Sequence, residues 1–587
     1  MSILKFSTTT ITALFVTTSL LAISACTMAP EPEKTASNPT VTADVLETKP
    51  FPRVEQDGFA QSAPPAERAA MDIQMAPLRG LVANVRNANK IAQPSQQGFF
   101  GDMPQQGYAA TGDKYAPIER SVIKSAESDP VSTFSVDVDT GAYSLVRDRL
   151  NGGMLPHPDA VRLEEMINYF TYSYPQPEGD VPFSVTTDAM QTPWNKGTHL
   201  VRIGLQGKSV PVAERPKANL VFLVDVSGSM RDPDKLPLLV KSLQYMAGSL
   251  TAEDRISLVV YAGASGLVLE PTSGSETQTI RDALGRLQAG GSTAGGAGIK
   301  LAYDTARKAF IDGGLNRIIL ATDGDFNVGI HDVSQLKTII EEERKSGVSL
   351  TTLGFGDGNF NDALMEQLAD AGNGNYAYVD NFSEAKKVLG TQLNATLMTI
   401  AKDVKIQVEF NPAVVAEYRL LGYENRVLAR EDFDNDKVDA GEIGAGHSVT
   451  ALYEVALVGS EGRRFGDLRY DAQKPVGANA RKDELAYVKL RYKEPGGEVS
   501  KLIDQVIPTS QLYVRKAPSP DLVHASAVAA YGQMLAHDKY LGDFGPSDVL
   551  ALAQSLRAEG PYRQEFKALV ENATALIAMQ GQAGPGR

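Results

Sequence analysis

Asp225, Ser227 and Ser229 alternate along "VDVSGSM" (224–230), immediately after an apolar run. One carboxylate and two hydroxyls at two-residue spacing, on a turn loosened by Gly228, can present three oxygens to one side of a loop. Hard oxygens in that arrangement suit a hard cation. Magnesium prefers six oxygens in an octahedron at about 2.0–2.1 Å, and carboxylate plus hydroxyl plus water meets the preference. Two further loops are expected at the same point. "GGSTAGGAGIK" (290–300) sets Thr293 just before a glycine-rich helix start, and "ATDG" (321–324) sets Asp323 at the end of another apolar run. Two carboxylates about 4 Å apart repel by about 4 kcal/mol at an effective dielectric near 20. A dication between them reverses the sign.

The elements that must carry these loops are legible in the periodicity. Apolar strands are expected at "ANLVFLVDV", "RISLVVYAG", "RIILATDG" and "VSLTTLGFG", with amphipathic helices at 234–250, 276–288, 295–310, 332–346 and 361–371. In the first helix Asp232 is placed to cap, Pro233 suits the first turn, and Leu236, Leu239, Leu243, Met246 and Leu250 recur at helical spacing. Strands that are apolar throughout and separated by helices imply a parallel sheet covered on both faces. In such a sheet ligands bind outside the carboxyl ends of the strands, where Asp225 and Asp323 fall. The expected fold class is therefore α/β, with a central doubly wound, mostly parallel domain at 218–398. Residues 128–217 read as a small flanking domain, 399–509 as a β-sandwich-like domain of short alternating strands, and 510–587 as a helical region.

The five positions Asp225, Ser227, Ser229, Thr293 and Asp323 together resemble the metal-ion-dependent adhesion site of von Willebrand factor A domains. The resemblance spans about 180 residues and implies a Rossmann-like fold. It further implies that the serines and the threonine contact Mg²⁺ (or Mn²⁺ or Ca²⁺) by hydroxyl, and that the aspartates bind it directly or through water. The remaining coordination position then goes to an acidic residue of a partner protein. The flanks, "FSVDVDTGAYS", "EEMINYF", "DFDNDKVDAGEIGAGHSVTALYEV" and "LAYVKLRYKEP", resemble those of the YfbK-like bacterial lipoproteins and their C-terminal domain. The implied function is a non-enzymatic, metal-dependent protein-binding module; the alternatives are an envelope scaffold with a structural metal, and a metal-dependent hydrolase.

Other motifs fit their families poorly. "DVDTG" (137–141) resembles the two-aspartate loop of haloacid-dehalogenase-type phosphatases, but Thr140 directly follows Asp139 where that motif needs one intervening residue. A loop or strand-end role is expected instead. "DFDNDKVDAGE" (432–442) has Lys437 where an EF-hand needs glycine and Ile443 where it needs a bidentate glutamate, and reads as a solvated loop or a weak calcium site. The glycine-rich 290–300 stretch lacks the Gly-Lys-Ser/Thr ending of a phosphate-binding loop. The six histidines form no HExxH pair and no cysteine occurs beyond Cys26, so neither zinc hydrolysis nor thiol catalysis has a visible ligand set, and no adjacent base can be named beside Ser227.

With 587 residues the chain exceeds one core and must divide. A net charge of −14 argues against nucleic acid, which requires a concentrated basic surface. Residues 1–25 read as an export signal, with Lys5 before the apolar "ITALFVTTSLLAISA". The ending Ile23-Ser24-Ala25-Cys26 resembles a bacterial lipobox, which implies lipidation of Cys26. Acyl chains contribute about 0.8 kcal/mol per buried CH₂, so more than one gives stable membrane attachment. Thr27 beyond it favours the outer membrane within that family, with the soluble domains facing the periplasm or exterior of a cell envelope. Cys26 is the chain's single cysteine, so an intrachain disulfide is excluded. Residues 26–127, rich in Pro, Ala, Gln and Gly, read as a disordered tether, and a coil of about 100 residues spans on the order of 55 Å.

Overall fold

The computed structural model describes residues 112–582 apart from 137, 212–213, 292–294, 325–332, 359, 393–394, 396, 467–480, 514–516 and 558–559. The expected signal segment, Cys26 and residues 26–111 of the expected tether lie outside the described residues, whereas 112–127 are described and Lys124–Ser125 pair as a strand with Tyr418 and Glu417 rather than forming tether. In chain order the first elements are β1 (Lys124–Ser125), β2 (Val131–Ser135), α1 (Gly141–Asn151), α2 (Leu163–Asn168), β3 (Phe183–Gln191) and β4 (Thr198–Gly207). The central α/β domain follows as β5 (Ala218–Asp225), α3 (Leu236–Met246), β6 (Arg255–Tyr261), β7 (Ser265–Ser273), α4 (Thr277–Gly285), α5 (Gly295–Lys308), β8 (Leu315–Thr322), α6 (Val333–Glu343), β9 (Ser349–Phe355), α7 (Asp362–Ala371), β10 (Tyr376–Val379) and α8 (Phe382–Lys386). Beyond it come β11 (Thr399–Phe410), β12 (Val415–Leu421), β13 (Ile443–Gly444), β14 (Ser448–Leu457), β15 (Glu484–Lys493) and β16 (Lys501–Pro508), then helices Pro520–Leu535, Pro546–Ser555 and Pro561–Gln582.

The central sheet runs β10-β9-β8-β5-β6-β7, parallel except for β7, which returns antiparallel along β6. Every residue of β5 is buried because it is flanked by β6 and β8 and covered on both faces, which is why "ANLVFLVD" carries no alternation. Ile299, Ala302 and Tyr303 of α5 pack on one face of the sheet, and Leu239, Leu243 and Met246 of α3 on the other. The antiparallel β7 and the short β10 are edge strands that the apolar runs did not announce. Helix α1 lies over the β10 edge, where a Cβ at Gly141 would overlap the Tyr376 ring. Asp139, from "DVDTG", accepts a 2.8 Å hydrogen bond from Tyr376 N, so this motif closes a sheet edge.

Helix α3 begins at Leu236, with Pro237 in its first turn and no side-chain cap, whereas Asp232 and Pro233 were expected to start it. Residues Gly228–Arg231 take a single 3-10 turn, and Lys235 is drawn beneath the loop toward Asp323, so regular helix starts only beyond that lysine.

The flanks are joined. One five-stranded sheet runs β1-β12-β14-β4-β3; a second runs β13-β11-β15-β16, with β2 also paired to β11. Strand β4, which precedes the α/β domain, pairs antiparallel with β14, which follows it, from Ala456↔Thr198 to Ser448↔Gln206. Phe134, Val201, Ile203, Ile406, Val408, Tyr453 and Val488 share the core between the two sheets. The sandwich expected from 399–509 alone is thus completed by strands from 124–207, because β14 would otherwise lack a neighbour on one side and β11 would be unpaired on one side along Lys405–Glu409. The C-terminal helices pack with α1 and α2 in a second core that includes Tyr143, Phe170, Tyr531 and Phe566, and rest on Leu200, Leu421 and Leu452 of the first sheet. No described helix is long and apolar enough to cross a membrane.

Buried ion pairs fasten the α/β domain to this frame. Arg147 of α1 donates to Asp380 (2.7 Å), Glu384 of α8 (2.8 Å), Tyr169 Oη (2.8 Å) and Glu565 of the last helix (2.9 Å). Arg162 pairs with Glu165 and with Asp362 at the start of α7, which also accepts from Tyr376 Oη at 2.7 Å.

Candidate metal centre

Strands β5 and β8 are neighbours, with Val224 level with Ala321, so Asp225 and Asp323 emerge side by side at their carboxyl ends. From β5 the chain passes first to β6 on one side and later to β8 on the other. The two aspartates therefore straddle the point where the winding of the sheet reverses, the place at which such folds bind ligands.

Asp225 is fully buried. Its Oδ1 accepts from Ser227 N at 2.8 Å and its Oδ2 from Thr322 Oγ1 at 2.9 Å, and the same Thr322 oxygen accepts from Gly324 N at 3.1 Å. These donors aim the carboxylate, and the Ser227 hydroxyl and the Tyr261 phenol also reach it. Burial, with the charge of Asp323 adding, pushes the Asp225 carboxyl up to about 6 against the lowering effect of those hydrogen bonds. Burial also holds the neighbouring Tyr261 phenol well above its ordinary range, with the Asp225 charge adding to the shift.

Ser227 is buried and Ser229 exposed, with their Oγ atoms 2.9 Å apart. That is a hydroxyl hydrogen bond, and it is also about the separation of adjacent corners in an octahedron with bonds of roughly 2.0–2.1 Å. The loop is pinned from both sides: Val226 N donates to Tyr261 O (3.0 Å), Gly290 N to Val226 O (2.7 Å) and Gly228 N to Gly291 O (3.0 Å). These bonds bring the segment leading to Thr293 against the serine loop; Thr293 itself lies outside the described residues. Asp323, also buried, pairs through Oδ2 with Lys235 Nζ at 3.2 Å.

The structure therefore gathers Asp225, Ser227, Ser229 and Asp323 at one end of the sheet. Two residues of the cluster, Thr322 and Lys235, were not anticipated. Strand alternation offers a hint of Thr322, which sits one residue before Asp323 on the strand next to Asp225. Lys235 offers none, since a lysine ahead of an apolar helix reads as a solvated cation. Among the described residues no trio of His, Cys, Asp and Glu side chains forms a metal-holding group. Two carboxylates completed by hydroxyls are nonetheless the chemistry of a hard-cation site, and the residues present fit one.

The 432–442 loop is different. Lys405 Nζ donates to the carbonyls of Asp432 (3.1 Å) and Asn435 (2.6 Å), Lys493 Nζ to that of Asp436 (2.7 Å), and Arg491 pairs with Asp434 and Asp436. The chain's own cations thus take up three backbone carbonyls and two carboxylates of this loop.

Profiles of known families match three parts of the chain: von Willebrand factor type A domain over residues 219–391, von Willebrand factor over 109–202, and "Uncharacterized protein YfbK, C-terminal" over 395–576. Fold and profile together define a von Willebrand factor A-domain protein, whose central domain is a protein-interaction or adhesion module. The protein YfbK of Escherichia coli is 44% identical over 468 residues, 78% of this chain and 80% of its own length, and the chain belongs to the YfbK family. "Uncharacterized protein sll0103" of Synechocystis is 25% identical over 55% of this chain and 73% of its own. The solved von Willebrand factor type A structure from Catenulispora acidiphila aligns over 65% of this chain and 89% of its own at 17% identity, with a TM-score of 0.37.

Proposed function

We propose that the chain is a lipid-anchored, divalent-metal-dependent binding module of the bacterial envelope, held by Cys26 with the outer membrane favoured, that captures a protein through an acidic side chain. Asp225, Ser227, Ser229, Thr293 and Asp323 are the ligand set, and Mg²⁺ (or Mn²⁺ or Ca²⁺) is the ion the donor chemistry suits. The observation that carries this is the meeting of two buried aspartates with two hydroxyls 2.9 Å apart, at a sheet end that opens to solvent at Ser229. A metal there would act by charge, offering a positive centre to an incoming carboxylate. The protein's part is to aim Asp225 through Ser227 N and Thr322 Oγ1 and to leave one side open. A binding role is favoured over nucleophilic chemistry because the Ser227 hydroxyl lies against Ser229 Oγ and the Asp225 carboxylate, the neighbours a metal ligand would have.

The test is calorimetric titration of Mg²⁺ into the full chain and into Asp225→Ala, followed by capture from solubilised envelopes in Mg²⁺ or chelator. Wild type binds the ion and captures a partner only in Mg²⁺, and Asp225→Ala does neither. Capture that survives both chelator and the substitution, with only a loss of thermal stability, would instead make the ion structural and the chain a scaffold.

A further inference from the structure

Lysine is almost never buried without a partner, yet Lys235 is 7% exposed and ends at the candidate metal centre. Its Nζ lies 3.2 Å from Asp323 Oδ2. Its alkyl stem runs along the backbone at Gly356, where φ is +71° and an added Cβ would overlap both Cγ and Cε of the lysine. The path is therefore built: a residue without a side chain clears a channel, and the channel ends at a carboxylate proposed to bind metal. Helix α3 starts one residue later than this lysine, so the stem is anchored at a fixed point of the fold.

We propose that Lys235 is an internal counter-cation of this centre, and that it sets how tightly the centre takes a divalent ion. The inference rests on the reading of Asp225, Ser227, Ser229 and Asp323 as a divalent-ion site. Without metal, the ammonium offsets one of the two neighbouring carboxylates, leaving one net negative charge where two would otherwise repel. A dication arriving at Asp323 meets a like charge already seated there. It must share the carboxylate or push the ammonium aside, so affinity is lowered and the ion exchanges more readily. Once the ion is in, two positive charges on the metal and one on Lys235 face two carboxylates, and the loaded centre carries one net positive charge. An acidic group from a partner brings it to neutrality. The empty centre, still negative, repels the same group. Lys235 thereby separates the unloaded and loaded states by the sign of their charge, which the aspartates alone would not do: with a dication they reach neutrality and no further.

The experiment uses the full chain and Mg²⁺ alone. Lys235→Met keeps the stem against Gly356 and removes the charge; Lys235→Gln is the second neutral variant; Asp225→Ala with Lys235→Met is the control. Affinity is read by calorimetric titration and thermal midpoints are measured in chelator and in saturating Mg²⁺. Both neutral variants are expected to bind Mg²⁺ on the order of tenfold more tightly than wild type. They are expected to melt lower than wild type in chelator, with the gap closing in Mg²⁺, and the control is expected to lose the tightening. Binding by the neutral variants but not by wild type at the same concentrations would support the same role more strongly. Wild-type binding that the neutral variants leave unchanged or weaken, with an equal loss of midpoint in both conditions, overturns the counter-cation role and leaves the metal site standing. Absence of binding in every variant overturns both.

Discussion

Arg147 provides the sharpest test of how the central domain is held. Its guanidinium is 2% exposed and faces Asp380 and Glu384, which are 3% and 0% exposed, with Glu565 at 35%. Lys387 is the next cation, 3.8 Å from Glu384 and 3.0 Å from the Tyr169 ring centroid. In Arg147→Met the two buried carboxylates lose their principal partner. Breaking a buried pair from one side costs about 3–5 kcal/mol, because the surviving charge remains desolvated. The third carboxylate adds little, being over a third exposed and screened by solvent. The expected loss is therefore about 4 kcal/mol. Adding Asp380→Asn removes the charge left with least compensation while Glu384 keeps Lys387 and the Tyr169 hydroxyl at 2.7 Å, so the double variant should regain at least half of that loss. Urea unfolding followed by fluorescence of Trp194, the chain's one tryptophan, reports the change; that indole is buried and donates to Glu454 at 3.1 Å. A loss below about 1 kcal/mol in the single variant, or a double variant less stable than the single one, would refute the account of these pairs as the fastening of the domain.

Two further outcomes follow from buried or self-satisfied groups. His524 is 1% exposed among Phe170, Tyr172 and Phe566, neither ring nitrogen has a hydrogen-bond partner among the described residues, and burial lowers its pKa from 6.5 to about 3. The unfolded chain binds that proton first, so this contribution to stability is intact above about pH 6.5 and is lost as pH falls, by about 2 kcal/mol at pH 5. His524→Phe should flatten that part of an acid denaturation curve, and an unchanged slope would sink the assignment. At the 432–442 loop, Lys405, Arg491 and Lys493 already satisfy the oxygens, so calcium titrated into Asp225→Ala should give no binding heat. Heat abolished by Asp434→Asn with Asp436→Asn would show a real calcium site there.

The central domain was readable because its signals are local. Strands flanked on both sides must be apolar throughout, and "ANLVFLVD" and "RIILAT" could be placed to within a residue or two. Asp225 and Asp323 were legible as strand-end residues for the same reason, since the topology of a parallel sheet decides that such ends meet. What escaped depends on partners remote in sequence. The alternation in β4 says that one face is buried, but not that its neighbour is β14, some 250 residues on. Likewise Lys235 is an ordinary surface cation until Gly356 and Asp323 are brought to it by other strands. The start of α3 was misplaced because local capping preference was outweighed by that tertiary pull on the lysine.

The interleaved sandwich has a consequence for synthesis. β1, β2 and β4 leave the ribosome before the central domain, but their pairing partners β12, β11 and β14 follow it. A vectorially made chain can therefore complete its α/β insert while three earlier strands wait with open backbone edges. Closure then brings distant segments together in one late step, aided by an insert whose entry and exit are already close. A product truncated after residue 398 would keep those waiting strands permanently, and such edges are templates for association between copies.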